Sequence, residues 1–135
     1  MNRLYLLLGV VVTLGAVATS VAERHRFRRF WGRDCTGKDW KAAFPDASKA
    51  EIREFLDLFV RAFAFSQSRR LKFEPTDRVM EIYGTRYPSS LSADMMELET
   101  LAKMTEKRYG LDLVPGWRPE TTLGEIFERV RGRVA

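Results

Sequence analysis

Asp94 and Glu97 are a pair of residues in this chain whose types and spacing could do acid–base chemistry. They stand three positions apart, so in a helix their carboxylates share one face. A simpler interpretation is available, because acidic residues in the first turn of a helix stabilise its positive end. We therefore predict no catalytic role for this pair.

Cys35 and His25 are the chain's only cysteine and histidine. One of each cannot form a tetrahedral metal site, and a single cysteine cannot form an internal disulfide, which suits a reducing compartment. His25 stands among arginines, and Thr36-Gly37-Lys38 lacks the upstream glycine of a phosphate-binding loop. Dinucleotide-binding, P-loop and nucleophile-elbow motifs are absent from the sequence. The sequence predicts a protein that is not an enzyme, with no catalytic residue, no metal and no cofactor.

An uncharged, mostly apolar stretch runs from Leu4 to Ala22. A helix needs about 20 apolar residues to cross the hydrocarbon core of a bilayer. One arginine, Arg3, precedes the stretch, and five arginines follow it: Arg24, Arg26, Arg28, Arg29 and Arg33. Because positive charge stays on the cytoplasmic side, the pattern predicts a single-pass inner-membrane anchor over residues 1–22 with the C-terminal side in the cytoplasm.

A cleaved signal peptide is the alternative for this segment. Ser20-Val21-Ala22 has the small residues that a cleavage site requires. The apolar run is, however, longer than the usual apolar region of a signal peptide, and arginines directly after the cleavage point oppose translocation. The sequence therefore favours an uncleaved anchor.

The net charge of +5 belongs entirely to the first part of the chain. Residues 1–33 hold six arginines and one glutamate, whereas residues 34–135 hold 17 basic and 17 acidic residues. A nucleic-acid-binding domain needs a basic face of its own, so no nucleic-acid partner is expected. Residues 23–47 are interpreted as a basic and aromatic juxtamembrane arm. Its predicted contacts with anionic headgroups are Arg24, Arg26, Arg28, Arg29, Arg33 and Trp31.

Helical periodicity dominates residues 48–135, and a short helix over 38–43 precedes them. Ser48 and Glu51 form a capping box before a helix of about 17 residues. Asp77 is expected to cap a short helix that Gly84 ends, and Ser92 a helix that ends at Gly110. A last helix follows Thr121 or Thr122, with Gly132 beyond it. The prediction is all-α, a transmembrane helix followed by a small four-helix bundle.

Three local sequences resemble the acyl carrier protein family. Residues 92–101 are similar to the start of the family's second helix, residues 109–113 to the segment that closes it, and residues 121–127 to the segment that opens the last helix. The resemblance covers roughly residues 49–132 and implies the carrier fold. In carriers a serine at the head of the second helix bears phosphopantetheine. Here that position aligns with Asp94 or Met95, neither of which can be esterified, and Ser92 lies too early.

The resemblance and this departure together suggest a small helical docking module without a prosthetic group. The exposed side of its second helix is the candidate face for an unidentified protein partner: Glu97, Thr100, Lys103, Glu106 and Lys107. Two alternatives stay open. One is a genuine acyl carrier that uses Ser92, and the other is a protein whose basic neck binds anionic lipid or nucleic acid as its main role.

Overall fold

The computed structural model describes residues 2–89 and 94–134. These residues form helices and no β-strand, with one isolated backbone bridge between Arg78 and Thr122. The all-α prediction is therefore confirmed. The chain divides into two compact units, Met1–Gly32 and Arg33–Ala135, so the arm predicted over 23–47 falls partly in each unit.

The first unit is a long apolar helix followed by a short basic one. Helix α1 runs from Asn2 to Arg26, and helix α2 from Arg28 to Trp31. At a rise of about 1.5 Å per residue, α1 exceeds the about 30 Å of a hydrocarbon core. The leucines and valines of α1 are exposed, and its length and hydropathy would allow it to cross a membrane. A signal sequence meets the same criteria.

Residues 33–47 are part of the second unit. Helix α3 (Gly37–Ala43) confirms the short helix predicted over 38–43. Its Trp40 is fully buried, and the indole Nε1 donates a hydrogen bond to the carbonyl oxygen of Phe73 at 2.8 Å. The hydroxyl of Thr36 donates to the same oxygen at 2.9 Å. A segment that was predicted as part of the juxtamembrane arm therefore supplies a large side chain to the core.

Helix α4 (Lys49–Ala62) begins with the predicted capping box. The Ser48 hydroxyl accepts from the Glu51 amide at 3.1 Å, and the Glu51 carboxylate accepts from the Ser48 amide at 2.7 Å. The helix has 14 residues rather than about 17, because Ala64 adopts a left-handed backbone with φ of 56°. A 3₁₀ segment (Gln67–Lys72) follows, with Ser66 as its cap.

Helix α5 (Val79–Arg86) differs from the prediction at both ends. Asp77 does not cap it, because Arg78 holds the cap position and the Asp77 carboxylate is bonded to Arg33 and to the Glu74 amide. Gly84 does not end it either. Glycine disfavours a helix interior by about 1 kcal/mol relative to alanine, which surrounding packing readily outweighs.

Helix α6 (Met96–Tyr109) begins later than predicted. Its cap position is Met95 rather than Ser92, which lies outside the described residues. Its end is as predicted, with Gly110 in the left-handed conformation at φ of 68°.

Helix α7 (Leu123–Val134) is capped by Thr122, the second of the two predicted threonines. The Thr122 hydroxyl accepts from the Glu125 amide, and the Glu125 carboxylate accepts from the Thr122 amide, each at 3.2 Å. Gly132 lies inside this helix instead of beyond it.

Aromatic rings form much of the core of the second unit. Phe127 of α7 lies against Trp40 and Phe55, with centroids 5.6 and 5.3 Å away. Phe59 of α4 lies against Phe73 at 5.1 Å. The described part of this unit holds five α-helices and a 3₁₀ segment, so the four-helix carrier arrangement is not confirmed.

Candidate functional site: an apolar groove beside helix α6

The two carboxylates Asp94 and Glu97 serve the local structure at the start of α6. Asp94 Oδ1 accepts a hydrogen bond from the Met96 amide at 3.1 Å, which satisfies one donor of the first turn. Glu97 Oε1 accepts from the Tyr87 hydroxyl and lies 3.8 Å from Nε of Arg86. The predicted stabilising role agrees with this geometry.

Glu97 does not lie on the exposed side of α6, where the sequence placed it. Its side chain is only 12% exposed, and its Oε2 is buried without a hydrogen-bond partner. The hydrogen bond to Glu97 raises the pKa of Tyr87 to about 12, because ionised tyrosine cannot donate to a carboxylate. Glu97 therefore joins α6 to the end of α5 and is unsuited to binding a partner.

The other four residues of the predicted partner face differ in their exposure to solvent. Thr100 is half-buried, and its hydroxyl donates to the Met96 carbonyl oxygen at 2.7 Å. Lys103, Glu106 and Lys107 are exposed. Three charged residues of the five thus remain accessible on this side of α6.

The position that aligns with the carrier serine is a tightly held turn. Met95 adopts a left-handed backbone with φ of 65°, uncommon for a residue other than glycine. Its amide donates to the hydroxyl oxygen of Tyr83 at 2.9 Å, and the rings of Tyr83 and Tyr87 are 5.1 Å apart. Tyr83 of α5 therefore holds the start of α6, and Tyr87, directly after α5, packs against Tyr83.

An apolar groove of about 190 Å³ lies between α6 and the loop that follows it. Helix α6 and the loop each contribute apolar side chains to its walls, which are Met95, Leu98 and Ala102 with Leu113, Val114 and Trp117, and Glu99 also borders it. Met95 is 51% exposed and Val114 73%, and the neighbouring Met96 is 62% exposed. Among the described residues of the second unit, these three are the exposed large hydrophobic residues.

The loop wall of this groove is fixed by hydrogen bonds. The guanidinium of Arg129 donates to the carbonyl oxygens of Asp112 and Pro115, at 2.9 and 3.0 Å. The Val114 amide donates to Asp112 Oδ1 at 3.0 Å, and Gly116 supplies the left-handed turn with φ of 81°. Val114 is therefore exposed on an ordered loop.

The sequence did not predict the groove, because the apolar residues of each wall can be explained separately as part of a core. Leu98 and Ala102 fit the helical period of α6, and Leu113 and Val114 suggest cover for a core. The adjacent methionines at 95 and 96 were the available signal, since flexible methionine side chains are frequent at adaptable binding surfaces.

Of the residues predicted to contact lipid headgroups, Arg24, Arg26, Arg28 and Arg29 lie exposed in the first unit. Trp31 is half-exposed and stacks on Phe27 at 5.2 Å. Arg33 belongs to the second unit, where its guanidinium donates to both carboxylate oxygens of Asp77, at 2.7 and 2.9 Å. That fork occupies Arg33 within the protein, so it is a poor candidate for a headgroup contact.

Within the described residues no group of histidine, cysteine, aspartate and glutamate side chains could hold a metal ion. Cys35 is a free, exposed thiol. Comparison of the whole chain with family models, with curated proteins and with solved structures gives no match.

Proposed function

We propose that this chain is a non-enzymatic, single-pass membrane protein whose second unit binds a protein partner in the groove beside α6. The observation that carries the proposal is that Met95 and Val114, two exposed hydrophobic residues distant in sequence, line the same groove, and the exposed Met96 follows Met95 directly in the chain. Single exposed hydrophobic residues are normal on a protein surface, whereas a group of them beside a groove is typical of an interaction site. The partner is a protein segment that presents one or two apolar side chains.

The dimensions of the groove favour a protein over a small molecule. Sites for cofactors and other small ligands usually enclose about 300–1,000 Å³. A groove of about 190 Å³ accepts an anchoring side chain but not a cofactor. Its walls offer few polar groups that could orient a small ligand, and interface anchors commonly fill apolar pockets of this kind.

The membrane setting is supported by α1 and by the arginines that follow it. In this proposal α1 stays in the inner membrane, and Arg24, Arg26, Arg28 and Arg29 lie at the cytoplasmic headgroups. Each exposed arginine near an anionic surface contributes about 1 kcal/mol to that association. The groove then faces cytoplasmic or membrane-bound proteins.

The resemblance to acyl carriers contributes the idea of a docking module, and the residues at the serine position argue against acyl transport. Neither Asp94 nor Met95 can carry a phosphodiester-linked arm. Mass spectrometry of the chain from its own cells is expected to show no phosphopantetheine. An adduct on Ser92 would instead make the chain a genuine carrier.

Site-specific photocrosslinking in cells tests the groove. The full chain carries benzoylphenylalanine at Val114 in one variant and at Glu128, an exposed residue of α7, in the matched control. We expect a discrete crosslinked product from position 114 only, and its loss when Ala102→Arg fills the groove. Equal crosslinking at both positions, or a product that survives Ala102→Arg, would contradict the proposal.

A further inference from the structure

We infer that a second pocket, at the start of the second unit, binds the phosphate of an anionic membrane lipid. The pocket has a volume of about 310 Å³. Its rim is basic and its floor is apolar, with Lys38, Lys41, Lys49 and Arg53 around Ile52, Leu71 and Cys35. This inference rests on the membrane anchor of the proposed function, but not on the groove beside α6.

The charge of the rim has no counterpart inside the pocket, because no acidic residue lines it. Lys41 is held in place by the carbonyl oxygens of Pro45 and Ala47. Lys38, Lys49 and Arg53 form no ion pair within the described residues. Basic side chains converging without a carboxylate provide a complementary surface for an anion.

Several other arginines of the second unit lie beside a carboxylate. Three such pairs are Arg70 with Asp57, Arg108 with Glu54, and Arg131 with Asp46. The rim thus differs from these positions, because four cations line one pocket whose walls include no carboxylate.

The floor indicates that the anion carries an apolar part. Ile52 is buried and Leu71 half-buried, and neither can interact favourably with a bare phosphate. A phospholipid satisfies both regions, since its phosphate lies among the cations and its first acyl methylenes lie on the floor. The volume lies at the lower end of the range for ligand pockets, about 300–1,000 Å³, which suits a headgroup rather than a whole lipid.

The position of the pocket along the chain favours a lipid over a nucleic acid. Only residues 23–34 separate the apolar segment from Cys35, and fully extended they span at most about 40 Å. If α1 crosses the membrane, this short segment allows the pocket to reach the bilayer surface. A nucleic acid would instead require a continuous basic stripe, and residues 34–135 carry no net positive charge.

Cys35 provides a native reporter, because its thiol is exposed at the pocket and no other cysteine exists in the chain. The experiment measures alkylation of Cys35 by uncharged N-ethylmaleimide in the full chain reconstituted in nanodiscs. One set of discs contains phosphatidylcholine alone, and the other contains one third phosphatidylglycerol. We expect alkylation to be about tenfold slower in the anionic discs.

Two matched variants separate occupancy of the pocket from a general effect of surface charge. Lys38→Gln with Lys49→Gln removes two rim cations, whereas Arg78→Gln with Arg133→Gln removes the same charge from exposed positions outside the rim. Protection is measured for each variant as the ratio of its own alkylation rates in the two kinds of disc. We expect the rim variant to lose most of the protection and the control variant to keep it.

Additional measurements with soluble compounds test whether the bound anion must belong to a lipid. Inorganic phosphate, glycerol phosphate and a short RNA are each added to the neutral discs and are expected to leave the alkylation rate unchanged. Equal rates in both kinds of disc, full protection in the rim variant, or protection by any of these soluble anions would overturn the lipid site. A chain that fails to enter the discs would instead refute the membrane anchor, and with it this inference.

Discussion

Asp77 and Asp46 each receive both nitrogens of an arginine fork, but their surroundings differ. The Asp77 side chain is 9% exposed, and its partner Arg33 lies 2.7 Å away. The Asp46 side chain is 79% exposed, with Arg131 at 3.2 Å. Ion pairs in water contribute little, whereas breaking a desolvated pair leaves a buried charge without a partner.

We therefore expect Asp77→Asn to lower the free energy of unfolding by about 2 kcal/mol, since it weakens charge-assisted bonds to Arg33. Asp46→Asn serves as the control, with no measurable change. Urea titration of the full chain in detergent, followed by tryptophan fluorescence, to which the buried Trp40 contributes, measures both. Equal losses in the two variants would show that the Arg33 pair is no stronger than a surface pair.

The Tyr87–Glu97 hydrogen bond predicts how the stability of the fold depends on pH. The pKa of Tyr87 is raised to about 12 in the folded chain, whereas unfolded tyrosine titrates near about 10. The bond thus stabilises the fold fully below about pH 10, and this contribution is lost as pH rises from about 10 towards about 12.

Ultraviolet difference titration should show a late-ionising tyrosine that disappears in Tyr87→Phe. The variant should also be less stable by about 1–3 kcal/mol at neutral pH, because Oε1 of Glu97 would lose this donor while the buried Oε2 already has none. A titration curve that is unchanged by the substitution would show that Tyr87 is not the perturbed residue.

The ends of the helices show which secondary-structure boundaries can be predicted from the sequence. Ser48 with Glu51 and Gly110 were predicted correctly, and Thr122 is one of the two threonines predicted for the last helix, because each cap depends on residues within one turn. Asp77 was assigned wrongly because its arginine partner is Arg33, distant in sequence and brought near by folding. The groove has a related explanation, because it joins α6 to Leu113, Val114 and Trp117 of the following loop, and the sequence alone does not show that these residues meet.

Two glycines of α7 provide a matched test of close packing. A Cβ on Gly124 would lie 2.9 Å from the carbonyl oxygen of Pro75, whereas a Cβ on Gly132 would meet nothing within 4 Å. Gly124 also donates its amide to that oxygen, at 2.8 Å. The start of α7 is therefore packed directly against the backbone before α5.

Gly124→Ala is expected to destabilise the second unit by about 1–3 kcal/mol, because the added methyl group forces two backbones apart. Gly132→Ala should stabilise it by about 0.5–1 kcal/mol, since alanine is the better helix former. Denaturation of the two full-length variants under identical conditions measures the difference. Stabilisation by both substitutions would mean that α7 is not held against Pro75.

The first unit contains an apolar helix, and the second unit is a structured helical domain. Sequence patterning was sufficient for the apolar helix, because length and charge asymmetry are local properties. It was insufficient for the domain boundary, since Trp40 was assigned to the juxtamembrane arm, whereas its indole donates a hydrogen bond to the Phe73 carbonyl oxygen within the second unit.

The orientation itself can be measured with the lone thiol. If α1 remains in the inner membrane with Arg24, Arg26, Arg28 and Arg29 in the cytoplasm, Cys35 also lies there. A membrane-impermeant maleimide added to intact spheroplasts should leave Cys35 unlabelled, and labelling should appear after lysis. A cysteine introduced at Asn2 is the control and should be labelled before lysis. Two results would contradict this prediction. Release of a chain without its first 22 residues by carbonate washing would show that the segment is a cleaved signal peptide, and labelling of Cys35 before lysis would show the opposite orientation.

The arginines set the predicted direction, so replacing all four by glutamine should weaken the preference for one orientation. The same assay should then show a mixed population.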